Sequence, residues 1–365
     1  MNYILQKKKI LNIFFHIFVF LIIATTFNNK IHEEENNIIK GLEPYILDGK
    51  VTLKIDGVNE KKIREQEELK LWYQKNNDPK ILISKYLSDK KKYERYFNRD
   101  CKISESQEER KRTRWLWQYS FFKIFEVSNK INSKAPYYIQ ILLFSLMIFL
   151  SYLILFKTFP LDFGFKIIFL FFVVFVFSNP LGEFRFSIVD LFLMSLAFYF
   201  SKNQKFFPFI IIVTLAQLNR ESGIIMSLIW LVFNNDYKKI IITILIASFF
   251  FLVFNYDIIS CVINPKFYSL LSSPDGQVGY KQFLLVGKSI SWLSLLKLLS
   301  INFFIPFGFI YYLLFTTREK NKGIMIITTI YLIIFLTTIP LQQVGVKLLL
   351  LPILISTIYF KQLEN

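Results

Sequence analysis

Rare charged residues lie beside long apolar segments of this sequence, where a charge is costly enough to suggest a functional cavity. The most distinctive group is Asn219-Arg220-Glu221, which interrupts the apolar run 206–233. Asp190 lies one helical turn inside another apolar run. A carboxylate can accept a proton and a guanidinium can bind an anion, so these residues are candidates for either chemistry. A structural ion pair between Arg220 and Glu221 also explains their presence.

Two further turns between apolar runs carry candidate site residues. Arg185 follows Glu183 in one turn, and Lys347 ends another. Each turn also has a simpler interpretation than a functional site. Glu183 and Arg185 could form a solvated charge pair, and Lys347 could anchor a helix at the membrane interface. The sequence contains no glycine-rich phosphate loop, no histidine pair at metal-ligand spacing, no Gly-x-Ser-x-Gly and no Asp-x-Asp.

The composition argues against a soluble enzyme. The chain has 365 residues, 53% of them hydrophobic, and a formal net charge of +17, whereas soluble domains average about 45–50% apolar residues. Of its 27 acidic residues, 18 lie between residues 28 and 136. We therefore predict an all-α polytopic membrane protein with one large polar insert. Membrane sidedness accounts for much of the basic excess, so nucleic-acid binding does not follow from the net charge.

Ten apolar runs are predicted as membrane spans, although a full crossing needs roughly 20 apolar residues. They cover residues 10–27, 137–156, 163–177, 186–200, 206–218, 222–233, 240–254, 298–315, 323–341 and 348–360. The basic residues Lys7, Lys8 and Lys9 place the N-terminus in the cytoplasm. A cleaved signal peptide is the alternative for the first run and leaves the later orientation unchanged.

The run 206–233 decides the topology. If it forms two spans, the loops with Lys157, Lys202 and Lys239 all lie in the cytoplasm with both termini, as the positive-inside rule favours. Each half has only 12 or 13 apolar residues, about 20 Å of helix, whereas the hydrocarbon core is roughly 30 Å thick. We therefore predict a short hairpin with residues 219–221 at its tip, below the outer surface in protein or a wet cavity.

Three regions are predicted along the chain. Residues 1–27 form an N-terminal transmembrane anchor, residues 28–136 an extracytoplasmic helical insert, and residues 137–365 a multi-span domain. In the insert, a capping-box pattern opens a helix with the basic residues Arg112 and Arg114 ahead of dense aromatic residues. That helix either lies in the headgroup region or covers the spans as a surface helix.

Four short stretches resemble bacterial polytopic glycosyltransferases of the GT-C type, which use lipid-linked sugars. Residues 215–225 resemble their Asn/Thr-Arg/Lys-Glu-Thr/Ser segment before an apolar run. Residues 112–116 resemble the arginine-rich start of a helix before a span, and residues 187–191 resemble the head of the fourth span. Residues 345–352 resemble a late Gly-x-Arg turn, with Lys347 where relatives usually carry arginine.

The resemblance assigns roles to individual residues. It implies a carboxylate base in the first outer loop, for which the candidates are Glu33, Glu34, Glu35 and Asp48. It implies donor-phosphate and substrate contacts from Arg112, Arg114, Arg185, Asp190, Arg220, Glu221 and Lys347. A divalent metal is compatible with this chemistry, but no residue is singled out as its ligand.

The function implied by the resemblance is transfer of a sugar from a polyprenyl-phosphate donor to an envelope glycan, lipid or protein. The reaction would take place at the outer face of a bacterial cytoplasmic membrane. The implied partners are the lipid-linked donor and membrane lipid, and no protein partner is implied. Three alternatives remain open: a polysaccharide polymerase or lipid-linked oligosaccharide handling protein, a non-enzymatic transporter or flippase, and a scaffold or inactive enzyme.

Overall fold

The structure is a computed structural model in which most of the multi-helix region before residue 264 is described. It describes residues 12–29, 31, 79–88, 120–159, 164, 166–167, 169–170, 173–174, 184–263, 323, 326–327, 329–330 and 352. Of these residues, 92% are helical and none lies in a β-strand, so the described part is all-α as predicted. Three of its helices are long and apolar enough to cross a membrane.

The described helices follow the predicted apolar runs closely. In chain order they are α1 (Asn12–Asn29), α2 (Pro79–Leu87), α3 (Phe122–Ile131), α4 (Ala135–Thr158), α5 (Phe184–Lys202), α6 (Phe206–Asn219), a 3-10 helix (Glu221–Ile229), α7 (Trp230–Phe233) and α8 (Tyr237–Ile263). The candidate spans are α1, α4 and residues Tyr237–Tyr256 of α8. The predicted spans 298–315, 323–341 and 348–360 lie wholly or mostly outside the described residues, as does most of 163–177. The count of ten therefore stays a prediction.

Helix α4 lies at the centre of the described bundle, and α1 packs against it in the opposite direction. The contact begins where Tyr152 Oη lies 3.4 Å from His16 Nδ1. It ends where the rings of Phe27 and Phe144 lie 5.6 Å apart. Aromatic ring pairs lie along this interface, where large flat side chains bury much apolar area.

Helix α5 runs in the same direction as α4, so their C-terminal ends meet. Lys202 Nζ donates a hydrogen bond to the Thr158 carbonyl oxygen, and the rings of Phe159 and Phe198 lie 5.5 Å apart. Lys157 Nζ lies 5.7 Å from the ring centre of Tyr199.

Helix α6 and the segment after it form the predicted hairpin, with the 3-10 helix packed back against α6. Near the open end, the Phe206 and Trp230 rings lie 5.3 Å apart. Lys239 Nζ, in the first turn of α8, lies 5.6 Å from the Phe206 ring centre. The starts of α6 and α8 and the ends of α4 and α5 thus share one end of the bundle. We call it the lysine end, after Lys157, Lys202, Lys205 and Lys239.

The insert contributes α2 and α3, which pack against the first half of α4. Ser84 Oγ accepts a hydrogen bond from the Tyr137 backbone N–H over 3.2 Å. Phe122 and Phe125 of α3, with the preceding Phe121, are buried. This part of the predicted aromatic helix therefore covers a span, whereas Arg112 and Arg114 lie outside the described residues.

The turn between α5 and α6 places Gln204 in the left-handed region, with φ of 54°. Its N–H donates to Ser201 O and the Lys205 N–H donates to Phe200 O, the bonding pattern of a Schellman C-cap in which glycine is preferred. We expect Gln204→Gly to raise the free energy of unfolding by about 0.5–1 kcal/mol, because glycine adopts this conformation without strain. Thermal unfolding in detergent would show this, and Gln204→Ala, which keeps the strain, should give no gain.

Asp236 caps the start of α8. The Lys239 backbone N–H donates to its Oδ1 over 3.3 Å, and this bond, with the nearby Lys239 ammonium, lowers the pKa of Asp236 below 3.8. A carboxyl with a depressed folded-state pKa stabilises the fold above its unfolded pKa and loses that contribution as pH falls through the folded value. We expect Asp236→Asn to flatten the loss of thermal stability below about pH 4. Identical profiles for both proteins between pH 6 and pH 3 would contradict this.

Candidate functional site

Asp190 is a carboxylate buried inside α5. The residue is 1% exposed. The other buried polar residues described in α5 are serines, such as Ser187 and Ser195. A buried carboxylate is strongly destabilising unless hydrogen-bond donors or a cation compensate it. Those groups come from the hairpin, which packs against α5.

The hairpin tip presents two consecutive side chains because the helix stops there. Helix α6 ends at Asn219, and Arg220 has extended backbone with φ −157° and ψ 140°. The Arg220 N–H donates to Ala216 O over 2.9 Å, and its carbonyl oxygen accepts from the Gly223 N–H over 2.8 Å. These bonds hold the backbone turn in one conformation, so the positions of both side chains are defined.

Asn219 and Arg220 approach different oxygens of Asp190. Asn219 Nδ2 donates to Asp190 Oδ1 over 2.7 Å within the protein interior. Arg220 Nη1 lies 3.9 Å from Asp190 Oδ2. Sequence analysis selected Asp190 and Arg220 independently, as members of two separate apolar runs, and the structure brings them together. Asn219 was predicted only as part of the tip, and its role as a donor to Asp190 was missed. The sequence signal that could have identified Asn219 was its place among the charged residues that interrupt an apolar run.

The Arg220 guanidinium keeps hydrogen-bonding capacity. Its side chain is 13% exposed, and the 3.9 Å separation exceeds the 2.7–2.9 Å typical of a charge-assisted hydrogen bond. Among the residues that the structure describes, no side-chain hydrogen bond of Arg220 is present. A guanidinium carries five N–H donors, so this one can bind an anion while Asp190 holds it in place.

The cluster lies far from the lysine end. Asp190 precedes Lys202 by twelve residues of α5, about 18 Å along the helix axis, and Arg220 is about 21 Å from the start of α6. With the lysine end at one surface of a hydrocarbon core of roughly 30 Å, the cluster lies about 10 Å below the other surface. We call this part of the bundle the tip end.

Buried amide side chains also lie toward the tip end, and sequence analysis did not select them. Within the described part of the chain, three of them have atoms without a hydrogen-bond partner: Gln140 Nε2 and Oε1, Gln217 Oε1 and Asn255 Oδ1. Gln217 lies two residues before Asn219 on α6. Orphaned buried polar atoms are rare in folded proteins and commonly mark a site for water or a polar ligand.

The other predicted site residues fall where the structure gives no side-chain position. Glu33, Glu34, Glu35, Asp48, Arg112, Arg114 and Lys347 lie outside the described residues. Arg185 lies in the first turn of α5 and Glu221 begins the 3-10 helix, but in both cases only the backbone is described. An Arg220–Glu221 ion pair is therefore not tested. The ion pair found for Arg220 is with Asp190.

No group of three potential metal-ligating residues occurs among the residues described. No known protein family matches the chain, and neither a curated protein nor a solved structure is detectably similar to it. The chemistry of the site must therefore be argued from the cluster of Asp190, Asn219 and Arg220 and from its position in the bundle.

Proposed function

We propose that this protein is a membrane glycosyltransferase that moves a sugar from a polyprenyl-phosphate donor to an envelope glycan, lipid or protein. The proposal is supported chiefly by one observation, the mostly buried Arg220 guanidinium beside Asp190 at the tip end of the bundle. The short-motif resemblance to GT-C enzymes agrees with it. In this proposal the tip end faces outward and the lysine end faces the cytoplasm, as the positive-inside rule favours.

Arg220 would stabilise the leaving group. When the sugar leaves a polyprenyl phosphate, negative charge develops on the phosphate oxygens, and a fixed cation in low dielectric stabilises that charge more than water does. The long contact with Asp190 suits this role, because a phosphate oxygen can compete for N–H groups that the carboxylate does not hold. Asp190 and Asn219 then act as positioning residues, keeping the cation at one place before the donor binds.

The depth of Arg220 requires the donor phosphate to enter the bundle from the membrane surface. The lipid anchor of a polyprenyl phosphate stays in the bilayer, so its phosphate lies near the hydrocarbon boundary. Arg220 lies about 10 Å below that boundary in the proposed orientation. The base is expected among the first-loop acids, because α1 ends at Asn29 on the tip-end side of the bundle and Glu33 follows four residues later.

The proposal is tested by reconstituting the full-length chain in vesicles with radiolabelled polyprenyl-phosphate sugars and a panel of envelope acceptors. The readout is label covalently joined to an acceptor, separated from intact donor. Lys205→Gln, an exposed change at the lysine end, is the matched control and should retain wild-type turnover. Label that crosses the bilayer as intact donor, without product, would indicate a flippase. Absence of both signals across the panel would reject the transferase.

A further inference from the structure

Helix α3 has two apolar faces, and in the part of the chain that the structure describes only one of them is buried. Phe122 and Phe125 are buried against the bundle. On the other side, Ile124 is 41% exposed, Val127 is 56% exposed and Ile131 is 82% exposed. Spacings of three and four residues place these three side chains in one stripe along the helix. We call Ile124, Val127 and Ile131 the outer stripe.

The start of α3 lies deep along α4. Phe121, just before α3, stacks on Phe144 with ring centres 5.6 Å apart, and Phe144 lies about 13 Å along α4 from its first residue. Leu142 and Leu146, on either side of Phe144 in the sequence, are exposed. Because α4 is a candidate membrane span, exposed leucines at this level would face acyl chains. The first turn of α3 is therefore at hydrocarbon depth.

The polar side chains in the first two turns of α3 pair with other groups of the same helix. Lys123 Nζ lies 2.9 Å from Glu126 Oε2 and 5.5 Å from the ring centre of Phe122. Ser128 Oγ donates to the Phe125 carbonyl oxygen over 2.9 Å. Pairing and snorkelling are the means by which charged side chains are accommodated near lipid. The following residues, Ser128-Asn129-Lys130, are polar and lead to the surface end of α4.

We propose that α3 enters the leaflet obliquely beside α4 and that its outer stripe contacts the acyl chains of bilayer lipids. Lys130, in its last turn, then lies near the lipid phosphates. A second protein copy is a poor fit, because three aliphatic side chains supply far less than the roughly 800 Å² per partner of a stable interface. The inference concerns the insert alone and does not depend on the transferase proposal.

The test is nitroxide labelling of single cysteines in the full-length chain in vesicles, in a Cys101→Ser, Cys261→Ser background. Ile124→Cys, Val127→Cys and Ile131→Cys are compared with Leu142→Cys on the exposed side of α4 and Asn203→Cys in the exposed turn at the lysine end. Collision rates with oxygen, which partitions into lipid, and with a neutral nickel chelate, which stays in water, give the surroundings of each label.

At Ile124 and Val127 we expect oxygen-dominated collisions like those at Leu142. Nickel-chelate collisions there should be at least about tenfold below those at Asn203, since moving a polar reagent into hydrocarbon costs more than 1.4 kcal/mol. Nickel collisions matching Asn203 would overturn the proposal, and low collision with both reagents would indicate a protein contact and overturn it too. Benzophenone crosslinking from Val127 to phospholipid, read by mass spectrometry, tests the same contact without a nitroxide.

Discussion

For the proposed sugar transfer, replacing Arg220 with glutamine should reduce kcat by about 10²–10³-fold, the usual effect of removing one charge-stabilising donor from an active site. The reason is that the Arg220 guanidinium, 3.9 Å from Asp190 Oδ2, is the cation that the proposal places against the donor phosphate. Arg220→Lys should recover only part of the activity, because lysine keeps the charge but lacks the planar fork of donors. Turnover of reconstituted variants on the preferred donor measures both effects.

Arg220→Gln also removes the positive charge beside the buried Asp190 carboxylate. A loss of folding stability must therefore be distinguished from a loss of catalysis. Removing one partner of a buried pair costs about 3–5 kcal/mol when the other charge stays buried. Asp190→Asn provides the comparison, because it removes the opposite charge and keeps the side-chain shape. If thermal unfolding shows Arg220→Gln folded like the wild type and its turnover is also unchanged, Arg220 has no role in the chemistry.

Gly223→Ala should be the most destabilising small substitution in the hairpin. A Cβ at residue 223 would lie 2.2 Å from the backbone carbon and oxygen of Ala216 and 2.4 Å from the Gln217 nitrogen. The neighbouring atoms are backbone, so no side-chain rotamer change relieves the clash and the hairpin must separate. We expect a loss of about 3 kcal/mol or more in the free energy of unfolding, at or above the upper end for overpacking, and about 5 °C or more in Tm.

Two controls make this prediction specific. Gly164→Ala adds the same methyl group where nothing lies within 4 Å, and it should not lower Tm. Ala216→Gly should not rescue Gly223→Ala, because the clash is with the backbone of Ala216 and not with its methyl group. A wild-type Tm for Gly223→Ala, or full rescue by Ala216→Gly, would contradict the close packing described here.

Sequence analysis could locate this hairpin because its two halves are too short to cross a bilayer and meet at three polar residues. It could not identify the 3-10 helix. Residues 223–233 are apolar on nearly every side, so their hydrophobic pattern does not distinguish three residues per turn from 3.6. The 3-10 form aligns Gly223, Met226 and Ile229 in one column, and all three are buried.

The pairing of Asp190 with Asn219 was equally inaccessible to sequence reasoning. The two residues are 29 positions apart, and their contact depends on how α5 packs against the hairpin. Each polar residue could be recognised by its rarity in an apolar segment, but the choice of partner is a tertiary property. Arg220 likewise lies beside Asp190, a contact between residues far apart in the sequence that depends on the same packing.

In the orientation proposed above, the depth of the cluster would couple anion binding to the membrane potential. Asp190 and Arg220 carry opposite charges, so the empty site gains or loses little energy when the voltage changes. An anion that reaches Arg220 from the outer surface crosses about a third of the hydrocarbon thickness, which corresponds to about 0.8 kcal/mol per charge for every 100 mV. With the cytoplasm negative, this energy opposes entry, so deenergising the membrane should tighten anion binding roughly fourfold per charge.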